Sequence, residues 1–274
     1  MITIQEALEA VRRAAPEELQ ESWDNSGVQI LTDPGASVER ILTCLEINDD
    51  VVEEAVRKKA DLIVTHHPLF FSKLSSVRAD DVVGAQTIRL IRHSISLYSA
   101  HTSFDSAAHG TNQDLAEKLG LEDIRPMYPS ETDPAAGMGR YGIFEKPVSY
   151  DEFLQKVTEV CGQSLVRSAG RVPEMVRKAA ICTGAGSEFM DDAFAGGADV
   201  YLTGYVKYHE ARHAYDIGMC VIDAGHYGTE VLFAENMAGL LREGLGDHVE
   251  VLVSETDINP FVTDRERYCL IAEL

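Results

Sequence analysis

Residues 40–65, "RILTCLEINDDVVEEAVRKKADLIVT", carry the pattern that decides the fold. "RILTCLEI" is a continuous apolar run of strand length. "NDDVVEEAVRKKA" then has a helical pattern, and "DLIVT" is a second apolar run. Apolar strands joined by a helix indicate a mostly parallel sheet covered on both faces. Working outward, "SISLYSA" (94–100) reads as a further strand. The second half repeats the alternation with "KAAICTG", "SEFMDDAFAGG", "DVYLT" and "MCVIDAG".

The two halves share more than alternation. Cys44 to Asp61 spans the same distance as Cys182 to Asp199, and "ADLIVT" stands beside "ADVYLT". Each half then reaches a further strand followed by a His and, four residues on, an acid: His101 and Asp105, then His226 and Glu230. The expected fold is α/β, with two linked, pseudo-duplicated lobes and mostly parallel sheets. The Pro- and Gly-rich stretch 125–140, "RPMYPSETDPAAGMGR", is the expected boundary, giving lobes 1–125 and 126–274. The segment from about 228 to 274 is left free to pack with the first lobe. "VEVLVSE" is the final strand signal, and the tail "RYCLIAEL" is apolar enough to pack onto a sheet.

A length of 274 residues suffices for two lobes with a real core. The net charge of −21 disfavours nucleic acid and anionic membrane surfaces, both of which are bound through Lys and Arg. No apolar run reaches the length of a membrane span. The N-terminal stretch reads as an amphipathic helix with a Thr3/Glu6 capping box and Pro16 past its end, and lacks the apolar core of a signal peptide. Five scattered cysteines without a CxxC read as reduced thiols, which suits the cytoplasm.

His66 and His67 end a strand in "VTHHPLF", where Pro68 stops the ladder. His101 with Asp105 and His226 with Glu230 also follow strands. Sites in open α/β sheets form beyond the carboxyl ends of strands. Six imidazole and carboxylate ligands exceed the need of one four-coordinate ion, so two divalent ions per chain are the natural count. Zinc, iron, manganese or nickel suits such ligands.

With these segments in place, "ESWDNSGVQI", "ADLIVTHHPLFF", "AHTSFDSA" and "DAGHYGTE" together resemble the dinuclear-metal-centre hexameric proteins, catalogued as GTP cyclohydrolase 1 type 2 homologues or NIF-three-like proteins. "YLTGYVKYHEA" and "RKAAICTGAGS" extend the resemblance over nearly the whole chain. It implies that His66, His67, His101, Asp105, His226 and Glu230 are the two-metal ligands. It also implies metals between the lobes, a ring-shaped homohexamer, and GTP ring-opening chemistry. Longer members carry an inserted domain for which this chain is too short. Glu46 stands where an Asp is common, Tyr205 replaces the Asp of "TGD", and "SFD" replaces "NLD".

Two functions follow. One is a metal-dependent hydrolase acting on a small molecule, with Glu46 and Tyr205 as candidates for proton transfer. The alternative is a non-enzymatic metal-binding or regulatory oligomer whose ions are structural or stored. A rival motif, His209-Glu210-x-x-His213, matches the zincin HExxH, but a protease needs a third ligand and a water-activating geometry. The plainer reading, a polar helix face, is preferred for it. Trp23-Asp24-Asn25 is read first as a turn, with support of the site as runner-up. "CTGAGS" (182–187) is a candidate phosphate contact, though it lacks both GxGxxG and a P-loop Lys.

Overall fold

The computed structural model describes residues 2–163 and 165–261. The chain opens with β1 (Ile2–Thr3) and α1 (Ile4–Ala14). Thr3 and Glu6 form the expected capping box, and Ile4, Ala7, Leu8 and Val11 are buried at helical spacing. Next come β2 (Gly27–Ile30) and β3 (Ser37–Val38), and then the unit β4 (Arg40–Cys44), α2 (Asp49–Lys58) and β5 (Leu62–Thr65). Asn48 caps α2 by accepting the Val51 N–H, and Lys59 ends it in the left-handed region at φ 54°. The helix α3 (Val82–Arg92) leads to β6 (Ser96–Ser99) and the short α4 (Thr102–Asp105).

The second half begins with α5 (Thr111–Lys118), β7 (Glu122–Pro129), β8 (Gly137–Ser149) and α6 (Tyr150–Cys161). It continues through β9 (Arg167–Gly170), β10 (Met175–Cys182), α7 (Met190–Ala195) and β11 (Val200–Thr203). The last elements are α8 (Tyr208–Ile217), β12 (Cys220–Asp223), α9 (His226–Glu230), α10 (Phe233–Leu245) and β13 (Glu250–Val253).

Two large sheets result. The first has the order β13-β4-β5-β6-β2, parallel except for β2. The second has the order β7-β8-β10-β11-β12-β9. Only β10, β11 and β12 run parallel in it, and its other neighbours pair antiparallel. The expectation of mostly parallel sheets is therefore corrected for the second sheet, which is mixed. One physical reason is the Pro- and Gly-rich stretch, which supplies the turn between β7 and β8 and folds them into an antiparallel hairpin at one edge.

The expected division at 125/126 accordingly cuts through β7. Helix α5, also placed in the first lobe by that division, buries Leu115, Ala116 and Leu119 against Phe153, Val157, Ile181 and Leu202 of the second. Conversely β13 hydrogen-bonds β4, and α10 buries Phe233, Met237 and Leu241 with α1. The tail "RYCLIAEL", with Cys269, lies outside the described residues.

Each sheet is covered on both faces. In the first, Ile41, Val64 and Tyr98 face α1 and α10, while Leu42, Ile63 and Leu97 face α2 and α3. In the second, Ala179 and Leu202 face α5 and α6, while Ala180, Tyr201 and Val221 face α7 and α8. Alternate residues of one strand thus serve opposite layers, which is why these runs are apolar throughout. Arg140 of β8 is fully buried and ties this strand to the segment between α4 and α5, donating to the carbonyls of Ala107 (2.7 Å) and of Gly139 in its own strand (2.8 Å). Cys44, Cys161, Cys182 and Cys220 are free and buried. Among the described residues no helix is long and apolar enough to cross a membrane.

Candidate metal centre

The carboxyl ends of β5, β6 and β12 converge. His66 and His67 directly follow β5, His101 follows β6 at the start of α4, and His226 opens α9 after β12. One turn further along α4 and α9 stand Asp105 and Glu230. A spacing of four residues puts each acid on the same face as its histidine.

The six side chains form three overlapping groups whose ligand atoms lie within 4.8 Å of one another: His66, His67 and His101; His67, His226 and Glu230; His66, Asp105 and Glu230. All six expected ligands are thereby brought together. Glu230 lies at the centre. Its Oε2 is 3.0 Å from His67 Nε2 and 2.9 Å from His226 Nε2, and its Oε1 is 3.6 Å from His66 Nε2.

Three of the imidazoles are held from behind. His66 Nδ1 donates to the Ala100 carbonyl at 3.0 Å, His67 Nδ1 to Glu46 at 3.0 Å, and His101 Nδ1 to Asp24 at 2.8 Å. A carbonyl or carboxylate can only accept, so each Nδ1 bears the proton. With the proton fixed on Nδ1, a ring that gives up its second proton to a metal ion presents the lone pair of Nε2 to the centre. Such bonding fixes the tautomer and orientation of metal-binding histidines. His66 Nε2 is buried without a hydrogen-bond partner. An orphaned imidazole nitrogen beside two buried carboxylates is the donor set a divalent cation satisfies.

The carboxylates of the centre favour positive charge at its histidines, the charge that a bound cation would supply instead. Burial disfavours a charged His67, yet Glu230 and Glu46 outweigh it and push its pKa up to about 10. His66 moves in the same direction for the same reason, with Asp105 and Glu230 as the opposing charges. Burial raises Asp105, and the nearby Glu230 charge adds to that rise. Glu230, despite its burial, is held well below the carboxylate range by His66, His226 and His67.

Sequence reading missed some of this support. Asp24, taken first as a turn residue, also accepts from the Thr102 backbone N–H (3.1 Å) and hydroxyl (2.6 Å), so it anchors both His101 and the start of α4. These bonds, added to the one from His101, hold its pKa well below the usual value against the cost of burial. Asn112 donates to the Asp105 carbonyl and accepts the Thr183 N–H, bridging the two sheets at the site. Glu46, a candidate for proton transfer, sits behind His67. Tyr205, the other candidate, is 49% exposed and is not among the residues lining the cavity described next.

The His67, His101, Asp105, His226 and Glu230 side chains line a cavity of about 710 Å³. Gly184, at φ +64°, permits the close approach of the second sheet, because a Cβ there would lie 2.2 Å from Glu230 Oε1. The HExxH histidines stand apart. His213 bonds Asp191 on an exposed helix face, and neither histidine belongs to any of the three ligand groups.

A two-sheet α/β protein with a histidine–carboxylate centre at its strand ends is the class these features define. The chain belongs to the Duf34/NIF3 (NGG1p interacting factor 3) family, whose model matches residues 2–260. A Clostridium perfringens protein called GTP cyclohydrolase 1 type 2 homolog is 34% identical over 258 residues, covering 94% of this chain and 98% of the relative. A solved Staphylococcus aureus structure, hypothetical protein SA1388, aligns with TM-score 0.88 at 26% identity, covering 95% of this chain and 99% of that one. A Bacillus cereus protein related to NIF3 shares the fold with TM-score 0.88 at 21% identity, over 96% and 99% of the two chains.

Proposed function

We propose that the chain binds two divalent metal ions and acts as a metal-dependent hydrolase on a small molecule. The observation that carries this reading is the meshing of three ligand groups through His66, His67 and Glu230 at the wall of an open cavity. An imidazole Nε2 serves one ion, whereas a carboxylate can serve two. Glu230 turns its two oxygens toward different histidines and is the candidate bridge. Two ions there would supply an acidified water and a Lewis acid for the bond under attack.

The chain's own residues orient this centre. Asp24 and Glu46 hold His101 and His67, and the Ala100 carbonyl holds His66. We assign Glu46 to positioning in place of proton transfer. The donor set contains no thiolate, which suits zinc, iron, manganese or nickel and is more typical of catalytic than of structural centres. The relatives' name, GTP cyclohydrolase 1 type 2 homolog, fits hydrolytic ring opening. We further propose a cytoplasmic homo-oligomer, a hexamer by the family resemblance. The four buried free cysteines suit a reducing compartment.

Elemental analysis of metal-loaded protein, followed by a hydrolase screen on the same sample, tests the reading. About two ions per chain with metal-dependent turnover is the expected result. No bound metal would sink the reading as a whole. Two ions without turnover on any hydrolysable class would favour the storage or regulatory alternative.

A further inference from the structure

Aromatic side chains from both halves of the chain line the cavity. From the first half come Trp23 and Phe71, whose rings meet the His101 ring edge-on at 5.9 Å and 5.5 Å. From the second half come Tyr128 and Phe189, 5.2 Å apart. Trp23 is 65% exposed, Phe71 57% and Tyr128 40%, so these surfaces face open space. Large exposed aromatic faces beside a polar centre are suited to stacking on a planar ring.

The charges of the lining point the same way. Glu21 and Glu188 join Asp105 and Glu230, and no lysine or arginine occurs among the described residues that line the cavity. Two divalent ions would balance those four carboxylates and leave no positive surplus for a polyphosphate. The glycine-containing turn, a candidate phosphate contact from sequence, has three of its amides committed. Thr183 N–H donates to Asn112 Oδ1 (2.9 Å), Gly184 N–H to Thr229 Oγ1 (3.0 Å) and Gly186 N–H to Thr203 Oγ1 (3.1 Å). Anion-binding turns need free amides pointing at the ligand.

We infer that the cavity takes a planar heteroaromatic compound of about nucleoside size that carries no net negative charge, and that it discriminates against nucleoside triphosphates. The ring lies between the Trp23/Phe71 and Tyr128/Phe189 walls, with its reactive edge toward the histidine cluster. This deepens the hydrolase reading and rests on the cavity being that centre's substrate site, but its test needs no turnover.

Trp23 is the chain's single tryptophan, so its fluorescence reports on this wall alone. Metal-loaded full-length protein is titrated with guanosine, adenosine, GTP and inorganic triphosphate, and metal content is measured on each sample. Saturable quenching by both nucleosides is expected, with GTP at least about tenfold weaker and no saturable response to triphosphate. Phe189→Leu and Tyr128→Ala should each weaken nucleoside binding by about tenfold, since they remove ring faces contributed by the second half of the chain. Phe189→Leu keeps the bulk of the side chain and guards against misfolding. The inference is overturned if GTP binds as tightly as guanosine, if neither nucleoside binds, or if both variants bind like the wild type. Nucleoside binding in a sample that holds no metal would break the hydrolase reading while supporting the ring site.

Discussion

The ends of β5 and β11 occupy matching places and do different work. Cys44 lies opposite Thr65 in the first sheet, and Cys182 lies opposite Thr203 in the second. Asp61 Oδ2 accepts the N–H groups of Glu39 and Arg40, and Asp199 Oδ2 accepts those of Arg177 and Lys178. Past this shared frame, the first half continues with His66-His67 and the second with Gly204-Tyr205. The first pair faces the centre. In the second, Gly204 leaves room: a Cβ there would lie 2.6 Å from Thr229 Oγ1 and 2.8 Å from His226 Cα. One strand end supplies ligands and its counterpart supplies the space through which α9 delivers His226 and Glu230. Similar backbones can therefore divide the labour of one site unequally.

The sharpest way to break this comparison is to exchange a ligand for a residue at the matching place. His67→Ala should lose most of the bound metal, because His67 belongs to two of the three ligand groups. Tyr205→Ala should leave metal content unchanged in the same elemental analysis. Equal losses would mean that both strand ends carry ligands.

The spacing role of the second half is tested by Gly184→Ala. The added methyl would press on Glu230 Oε1 from a backbone at φ +64°. A loss of about 2–4 kcal/mol in denaturant unfolding is expected from overpacking and strain together, with weakened metal binding. Unchanged stability and affinity would show that the close approach is dispensable.

Asp24→Asn keeps the shape of the His101 partner and removes its charge. Metal affinity should fall by about 10–100-fold in a chelator competition, with the circular dichroism spectrum unchanged. A wild-type affinity would return Asp24 to the role of a turn residue.

The smallest effect concerns the helices of the two units. On α2, Glu54 is buried and accepts from Ser254 Oγ (2.5 Å), Glu255 N–H (2.9 Å) and Thr256 Oγ1 (2.7 Å), tying down the segment after β13. On α7, the residue at the matching place, Asp192, is exposed. Burial works against the Glu54 charge, but these bonds and Lys58 lower its pKa from 4.5 to about 2. A folded value below the unfolded one gives stability that is present above pH 4.5 and is lost as pH falls toward 2. Glu54→Gln should cost about 1–3 kcal/mol at neutral pH, a difference that shrinks across that window. Asp192→Asn should change little. Parallel pH–stability curves for wild type and Glu54→Gln would refute the assignment.

Several elements were legible before the structure. The capping box at Thr3 and Glu6 depends on residues three apart, as does the Ser149–Glu152 box that the structure shows at the start of α6. Both are local and readable from spacing. The apolar runs of β4, β5, β10 and β11 mark strands buried on both faces, and that too is written along the chain. The six cluster residues were legible because residue type and strand-end position already restrict what they can do.

What the tertiary structure alone decided lies across long separations. The pairing of Asp24 with His101 spans 77 positions, and no local pattern tells an aspartate in a turn that a histidine waits there. Glu46 and His67 are brought together by β4 and β5 lying side by side. Helix α5 follows elements of the first sheet but buries its stripe in the second, because an amphipathic sequence specifies that a face is buried and not against which partner. Three amides of the 182–187 turn, those of Thr183, Gly184 and Gly186, are committed to Asn112, Thr229 and Thr203, residues 17 to 71 positions away. Sequence by itself determined which segments fold as strands and helices and which side chains can bind metal, since both follow from local chemistry. Which donors remain free, and which walls enclose the cavity, was decided by packing, since only packing brings distant polar groups within reach of one another.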